Sequence, residues 1–275
     1  MTRTRLQVLR YFLFKNRNNV TFGEMIRLFF DLPYSIKAKL KIDKILYERD
    51  FLKIFLKNYS CPLFYPSLCN LESFNQVVVE SLYVNNWHYY QVNVTKVSKE
   101  DIVVDCGAAE GLFTFLVSPR CKRVYAIEPL SLFNEALRYT FKDFKNVELI
   151  PVGLSSVESM AYMSQEGISS SITMENTANK VQLTTLDKLF FEKEIPVNYI
   201  KIDLEGNDYD ALIGGKNLIK QNMPKIAVTT YHNPEHANLI TAFLKDIHPT
   251  YQIYTKGIYQ GTGCPIMLHA YGEKS

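Results

Sequence analysis

The chain has little cysteine and no long apolar run. Its five cysteines are an odd count in 275 residues, and Cys61 and Cys69, eight apart, match no zinc-ligand spacing. Cys106 and Cys121 fall beside or within predicted strands. They read as small buried hydrophobes in a reducing compartment, so a cytoplasmic location is expected. No apolar stretch reaches the length needed to span a bilayer, and a transmembrane segment is not expected. The patch "LQVLRYFLF" is short, contains Arg10 and runs on to Lys15 and Arg17. No small-residue cleavage site comes after it, so it does not read as a signal peptide. Internal repeats, low-complexity tracts and nucleic-acid-binding motifs are missing from the sequence, and nucleic acid is not expected as a partner.

A strong excess of one charge is also lacking, with 31 Lys+Arg against 28 Asp+Glu. The distribution is uneven. Residues 1–60 hold 13 basic and 5 acidic residues, and the remainder 18 and 23. A basic front end suits an anionic partner such as nucleic acid, a membrane surface or an acidic glycan. A solvated, lysine-rich helical face is the plainer reading and the preferred one.

What is present is ample core material: 47% of residues are hydrophobic and 21% charged. That supports one large domain or two small ones. Residues 1–95 carry "GEMIRLFFDL" and "SIKAKLKIDKILYERDFLKIFL", whose apolar residues recur at helical intervals. They predict a mainly helical, basic cap or substrate-side region. "CPLFYPSLCN" interrupts it, and "FNQVVVESLYV" suits a helix or a strand. Trp87, Tyr89 and Tyr90 in "NNWHYYQV" are expected to pack against the sheet formed by the second part of the chain, with stacking on a sugar as the other role open to them.

From residue 96 the pattern alternates. Strands are predicted over 101–106, 122–128, 146–152, 198–203, 225–231, 251–255 and 264–270. Helices are predicted over 111–117, 131–142, 185–192, 208–220 and 235–246. Such alternation predicts an α/β domain over 96–275, with a mostly parallel Rossmann-like sheet covered on both faces. The last two strands have no helix between them and should form an antiparallel hairpin at the sheet edge. Residues 156–182 suggest a loop or small hairpin beside the site.

Ligands of such sheets bind beyond the carboxyl ends of the strands. In "VVDCGAAEGLFTF" the first strand ends at Asp105. Gly107 and Gly111 permit a tight turn and close backbone approach, and a helix comes next. A dinucleotide site wants G-x-G-x-x-G, but position 109 is Ala, and Asp105 would set negative charge beside a pyrophosphate. S-adenosylmethionine has no phosphate and carries a sulfonium and an ammonium. Asp105 and Glu110 suit it better. Glu128, ending the next strand in "VYAIEPL", is placed to accept both ribose hydroxyls of either cofactor.

Asp203 ends a later strand in "YIKIDLEGND", and Glu205 and Gly206 come after it. The two carboxylates face the same crevice. They can bind the cofactor's ammonium, take a substrate proton, or hold a divalent cation. Asn207 or Asp208 is expected to cap the next helix. In "TTLDKL", Thr184 and Asp187 have the spacing of a capping box, so Asp187 is not read as catalytic. His232 in "AVTTYHNPEH" lies at the same rim and is the candidate base for a substrate hydroxyl. His236 is a weaker one.

These segments, with "NVELIPVGLSS" and "VQLTTLDKL", occur in an order that resembles the FkbM-type methyltransferases over about residues 100–270, leaving the first 95 uncovered. The resemblance implies a class I methyltransferase fold with an antiparallel last strand, S-adenosylmethionine as cofactor, and O-methylation of a sugar, glycan or related natural product. It places Ala108, Pro129, Gly153 and Leu154 with the cofactor residues above, and Val152, Gly153 and Leu154 near the adenine. The family commonly shows Gly-Ala-Asn in the first loop, where this chain has Ala109. A homo-oligomer is compatible with this reading. So are two other functions, a dinucleotide-dependent oxidoreductase and a non-catalytic nucleoside-binding module.

Overall fold

In the computed structural model the described residues are 3–163, 172–173 and 179–272. A seven-stranded sheet carries the second part of the chain. Its strands are β4 (Ile102–Cys106), β5 (Arg123–Ile127), β6 (Val147–Ile150), β11 (Tyr199–Ile202), β12 (Lys225–Thr229), β13 (Gln252–Lys256) and β14 (Met267–Tyr271). Their order is β13-β14-β12-β11-β4-β5-β6. β14 runs antiparallel to both of its neighbours, while β12, β11, β4, β5 and β6 pair in parallel. This is the predicted α/β sheet with its antiparallel last strand. β4 lies where the order reverses, β5 to one side and β11 to the other. Residues just past β4, β5 and β11 therefore converge on one crevice.

Helices cover both faces. α5 (Leu112–Val117) and α6 (Ser131–Phe141) lie on one side, where Leu112, Phe115, Phe133 and Leu137 are buried. On the other side, α7 (Asp208–Ile213), α8 (Lys216–Asn222) and α9 (His236–Ile247) bury Ala211, Ile219, Ile240 and Leu244 against Ile200, Ile202 and Val228. The single helix predicted over 208–220 is broken at Gly214–Gly215, where the Gly214 carbonyl accepts from Asp187 N (2.9 Å). The expected capping box at Thr184 and Asp187 is replaced by a divided arrangement. Thr185 Oγ1 accepts from Lys188 N, while the Asp187 carboxylate accepts from Asn217 N and Leu218 N and so caps α8.

The first 95 residues are less helical than predicted. α1 (Arg3–Phe14), α2 (Phe22–Phe30), α3 (Tyr34–Lys41) and α4 (Leu71–Leu82) are helices, so "FNQVVVESLYV" is resolved as one. Between α3 and α4, a three-stranded antiparallel sheet replaces the predicted helix. It comprises β1 (Ile42–Glu48), β2 (Phe51–Leu56) and β3 (Leu63–Pro66). The reason is visible in burial. Leu52, Ile54 and Leu56 are buried and alternate with half-buried neighbours, a period of two that wins over the helical spacing. Arg49, at φ 55°, makes the turn between β1 and β2. This sheet and α4 bury Tyr65 and Phe74 beside Phe133 of α6. Each such side chain contributes about 1.5–3 kcal/mol by burial, enough to fix this region on the main sheet. α1 and α2 pack near the link from β13 to β14, around Phe12, Met25 and Ile258.

Beyond β6, the paired strands β7 (Gly153–Leu154), β8 (Ser159–Met163), β9 (Ile172–Thr173) and β10 (Asn179–Thr184) form a small sheet next to the crevice. The segment predicted as a loop or hairpin thus contains strand pairing. Its residues 164–171 and 174–178 lie outside the described residues.

Candidate active site at the sheet switch point

The loop after β4 is held by its neighbour strand. Gly107 N and Ala108 N both donate to Ile127 O at 3.0 Å. Gly107 adopts φ +78°, and a Cβ there would lie 2.0 Å from Asp203 O, so no other residue fits. Gly111, at φ +80°, has a different task. Its missing Cβ makes room for Leu137 and Phe141, so it packs the helix start rather than approaching a ligand. Ala109 sits at φ +43°, a left-handed conformation that Asn tolerates better than Ala. The departure from the family's Asn is therefore strained in this chain.

A cleft opens beyond β4, β5 and β6. Of the expected cofactor residues, Gly107, Glu128, Pro129, Gly153, Leu154 and Asp203 line it. Its walls are otherwise largely apolar, including Ile127, Phe133, Val152 and Leu183. Ala108 and Glu110 line an adjoining smaller pocket, together with Glu80, Tyr90, Lys201 and Asp203. Glu128 is buried, and its oxygens accept from Ala109 N and Leu130 N, each at 2.9 Å. Burial pushes its pKa up to about 7, and the same cause raises Glu110 to about 7.

Asp105 is not where the sequence suggested. It is fully buried beneath the loop and lines none of these cavities. Its Oδ1 lies 3.0 Å from Lys201 Nζ, and its Oδ2 accepts from Thr114 Oγ1 at 2.7 Å. Lys201 also donates to Gly107 O at 2.6 Å. Asp105 therefore acts on the loop through Lys201. Its charge is neutralised, so in this fold it would not repel a pyrophosphate.

Asp203 is the centre of the second cluster. Tyr90 Oη donates to its Oδ2 at 2.6 Å and Thr229 Oγ1 to its Oδ1 at 3.1 Å. Burial opposes its charge, but His88, Lys201, His232 and the Tyr90 hydroxyl together hold its pKa below the usual value. His88 lies between two acids, with Nε2 3.8 Å from Asp203 Oδ2 and Nδ1 3.8 Å from Glu80 Oε2. Both ring nitrogens are buried without a hydrogen-bond partner. Glu80, His88 and Tyr90 were not identified as site residues from sequence. They come from α4 and the loop after it, and no spacing connects them to the strand ends.

His232 is brought to the same place, among three carboxylates that favour its protonated form. Nε2 is 3.3 Å from Glu205 Oε2 and 3.9 Å from Asp203 Oδ1, and Nδ1 is 3.4 Å from Asp208 Oδ2. Burial would lower its pKa, yet the bonds to Asp208 and Glu205 outweigh this and raise it to about 10. An imidazolium has no lone pair to accept a proton. His232 lines none of the described cavities and serves as the counter-ion of the acids. His236 Nδ1 is 3.8 Å from Asp208 Oδ2, outside the cavities.

Asp208, fully buried, accepts from Leu204 N and Gly206 N and so shapes the exit from β11. Asn207 instead donates to Leu154 O. The carboxylate pair expected to hold a cation was Asp203 and Glu205. The structure gathers Asp203 with Asp208 and His232, whose ligand atoms lie within 4.8 Å of one another. A cation there would have to displace the His232 proton.

A wider cavity adjoins the small pocket at Glu80. Its lining includes Arg5, Asp31, Trp87, His88, Tyr231 and Tyr259. The N-terminal region thus builds one wall and the sheet rim the other.

A model of the methyltransferase FkbM domain matches residues 105–248. The chain belongs to this family. No curated protein matches the sequence. Among solved structures, methyltransferase FkbM from Methylobacillus flagellatus KT is 20% identical, with a TM-score of 0.50 over 72% of this FkbM chain and 54% of its own. This chain thus spans about half the length of that protein, and the likeness extends to the fold. An rRNA methylase from Streptococcus thermophilus is 17% identical, with a TM-score of 0.42, over 65% of this chain and 90% of its own. M. jannaschii TYW2, solved in complex with AdoMet, is 14% identical, with a TM-score of 0.45, over 84% and 90%. Among the described residues, no helix is long and apolar enough to cross a membrane.

Proposed function

We propose that the protein transfers a methyl group from S-adenosylmethionine to a hydroxyl of a sugar, glycan or related natural product. The observation that carries this reading is the meeting of two cavities at one buried cluster. On one side lies a largely apolar cleft with Glu128 at its wall. On the other lies the wide cavity with its aromatic rings, and Asp203 and His88 stand between them.

The residues fit the cofactor. Glu128 is a buried carboxylate poised for two ribose hydroxyls, and Val152, Leu154 and Leu183 offer flat apolar contact to a base. Among the described residues lining the cleft there is no Lys or Arg. A pyrophosphate would lack a counter-charge there, which favours the phosphate-free cofactor over a dinucleotide. Asp203 and Glu205 suit its ammonium. When bound, the cofactor supplies an electrophilic methyl carbon on a sulfonium.

The chain's own task is alignment, exclusion of water and removal of one proton. Holding reactants in line supplies on the order of 7 kcal/mol at best, and a base adds roughly 10²–10⁴-fold. His88, which lines the acceptor-side cavity, is the proton acceptor in this reading, and Asp203 and Glu80 orient its ring.

Calorimetry with S-adenosylmethionine and NAD(H) in parallel tests the cofactor. Heat with the first alone supports the proposal, and heat with NAD(H) alone overturns it. Incubation with sugar and glycan acceptors, then mass spectrometry for one added methyl group, tests the acceptor.

A further inference from the structure

The first three helices point apolar side chains at solvent. On α2, Phe22, Ile26 and Phe30 recur every fourth residue along the outer face, and they are 66%, 48% and 81% exposed. Beside them Leu6, Leu13 and Phe14 of α1 and Ile36 and Leu40 of α3 are also exposed. The three helices form one unit. Arg5 of α1 donates to Phe29 O and Asp31 O at the end of α2 (2.7 and 2.8 Å), and Asp31 pairs with Lys37 of α3 at 2.8 Å. An exposed apolar surface of this size marks a contact surface.

The charge on the same face is one-sided. Arg3, Arg10, Lys15, Arg17, Arg27 and Lys39 are exposed. The stretch has two acids, and both are taken: Glu24 by Lys256 at 2.8 Å and Asp31 by Lys37. The surface therefore presents aromatic and aliphatic side chains among unneutralised cations. That combination suits the boundary between acyl chains and anionic headgroups. A second copy of the chain fits poorly, since a two-fold contact would set the same cations against one another.

We propose that the face formed by α1, α2 and α3 docks this protein on an anionic phospholipid bilayer, with Phe22, Ile26 and Phe30 entering the interface. The inference does not depend on the reaction proposed above.

The test is co-sedimentation of the full chain with vesicles of phosphatidylserine and phosphatidylcholine, and with phosphatidylcholine vesicles alone. Binding to the anionic vesicles is expected, with release at about 1 M salt, where the screening length falls to about 3 Å. Removing three charges in Arg10→Gln/Arg17→Gln/Arg27→Gln should weaken partitioning roughly a hundredfold. Phe22→Ser/Ile26→Ser/Phe30→Ser should abolish it while the melting temperature holds. Phe30→Ser alone provides the same reading, with a smaller loss, if the triple variant is unstable. Absence of binding to anionic vesicles at low salt overturns the proposal. So does a dimeric wild-type chain that the serine variant turns monomeric, since the occupant is then a second copy.

Discussion

Lys201 on β11 stands directly across from Asp105 on β4 in the strand register, with its Nζ 3.0 Å from Asp105 Oδ1 and both side chains buried. The pair ties the two central strands together just under the loop whose backbone approaches the cofactor cleft. Removing one partner leaves the other as an uncompensated buried charge. Lys201→Met should therefore cost about 3–5 kcal/mol. The double variant Lys201→Met/Asp105→Asn should recover a large part of that loss, because the lone charge is gone. Urea unfolding of the three proteins checks this. A single variant as stable as wild type would show that the pair does not brace the loop.

Gly107 makes a sharper steric claim. A Cβ there would meet Asp203 O, and the backbone is left-handed. Gly107→Ala should lose about 3 kcal/mol from clash and strain combined, or roughly 10 °C in melting temperature. The folded fraction should bind S-adenosylmethionine weakly, because the loop must move away from β11 to make room. Thermal melting with and without the cofactor reads both effects.

Glu128 sets a pH dependence. Its pKa in the folded chain is raised from 4.5 to about 7 by burial. A raised carboxyl pKa means that the proton favours the folded state. That stabilisation is complete below pH 4.5 and is lost as pH rises through about 7. Cofactor binding runs the other way, since accepting two ribose hydroxyls requires the carboxylate. Affinity for S-adenosylmethionine should rise about tenfold between about pH 6 and about pH 8. Glu128→Gln should bind weakly at both and show a flatter profile, with Glu110 responsible for what slope is left. Calorimetry at the two pH values decides it.

The sheet was legible because its strands are short apolar runs that end in Asp105, Glu128 and Asp203, and because those ends must face one crevice in a parallel sheet. Lys201 was legible in principle. A lysine within the buried four-residue strand "YIKI" needs a partner, and Asp105 is the acid across from it. Two things were not. β1 and β2 contain apolar residues at both helical and strand spacings, and only packing against α4 and α6 decides between them. His88 and Tyr90 reach Asp203 through tertiary contact across more than a hundred residues, and Glu80 joins them through His88, which no local pattern encodes.

His88 and His232 flank the same carboxylate, and only His88 lines the cavity on the acceptor side. His232 faces Asp203, Glu205 and Asp208 and holds its own proton up to a pH of about 10. That raised value stabilises the fold fully below pH 6.5, and the contribution is lost as pH rises through about 10. Wild type should therefore lose melting temperature over that range, and His232→Gln should lose less over it, from a lower starting point. His88 has both ring nitrogens unpartnered and lines the cavity on the acceptor side. His88→Gln should lower kcat by roughly 10²–10⁴-fold with cofactor affinity retained. If His232→Gln instead loses turnover at saturating substrate while His88→Gln keeps it, the roles are reversed, and the three carboxylates must yield their shared proton during the reaction.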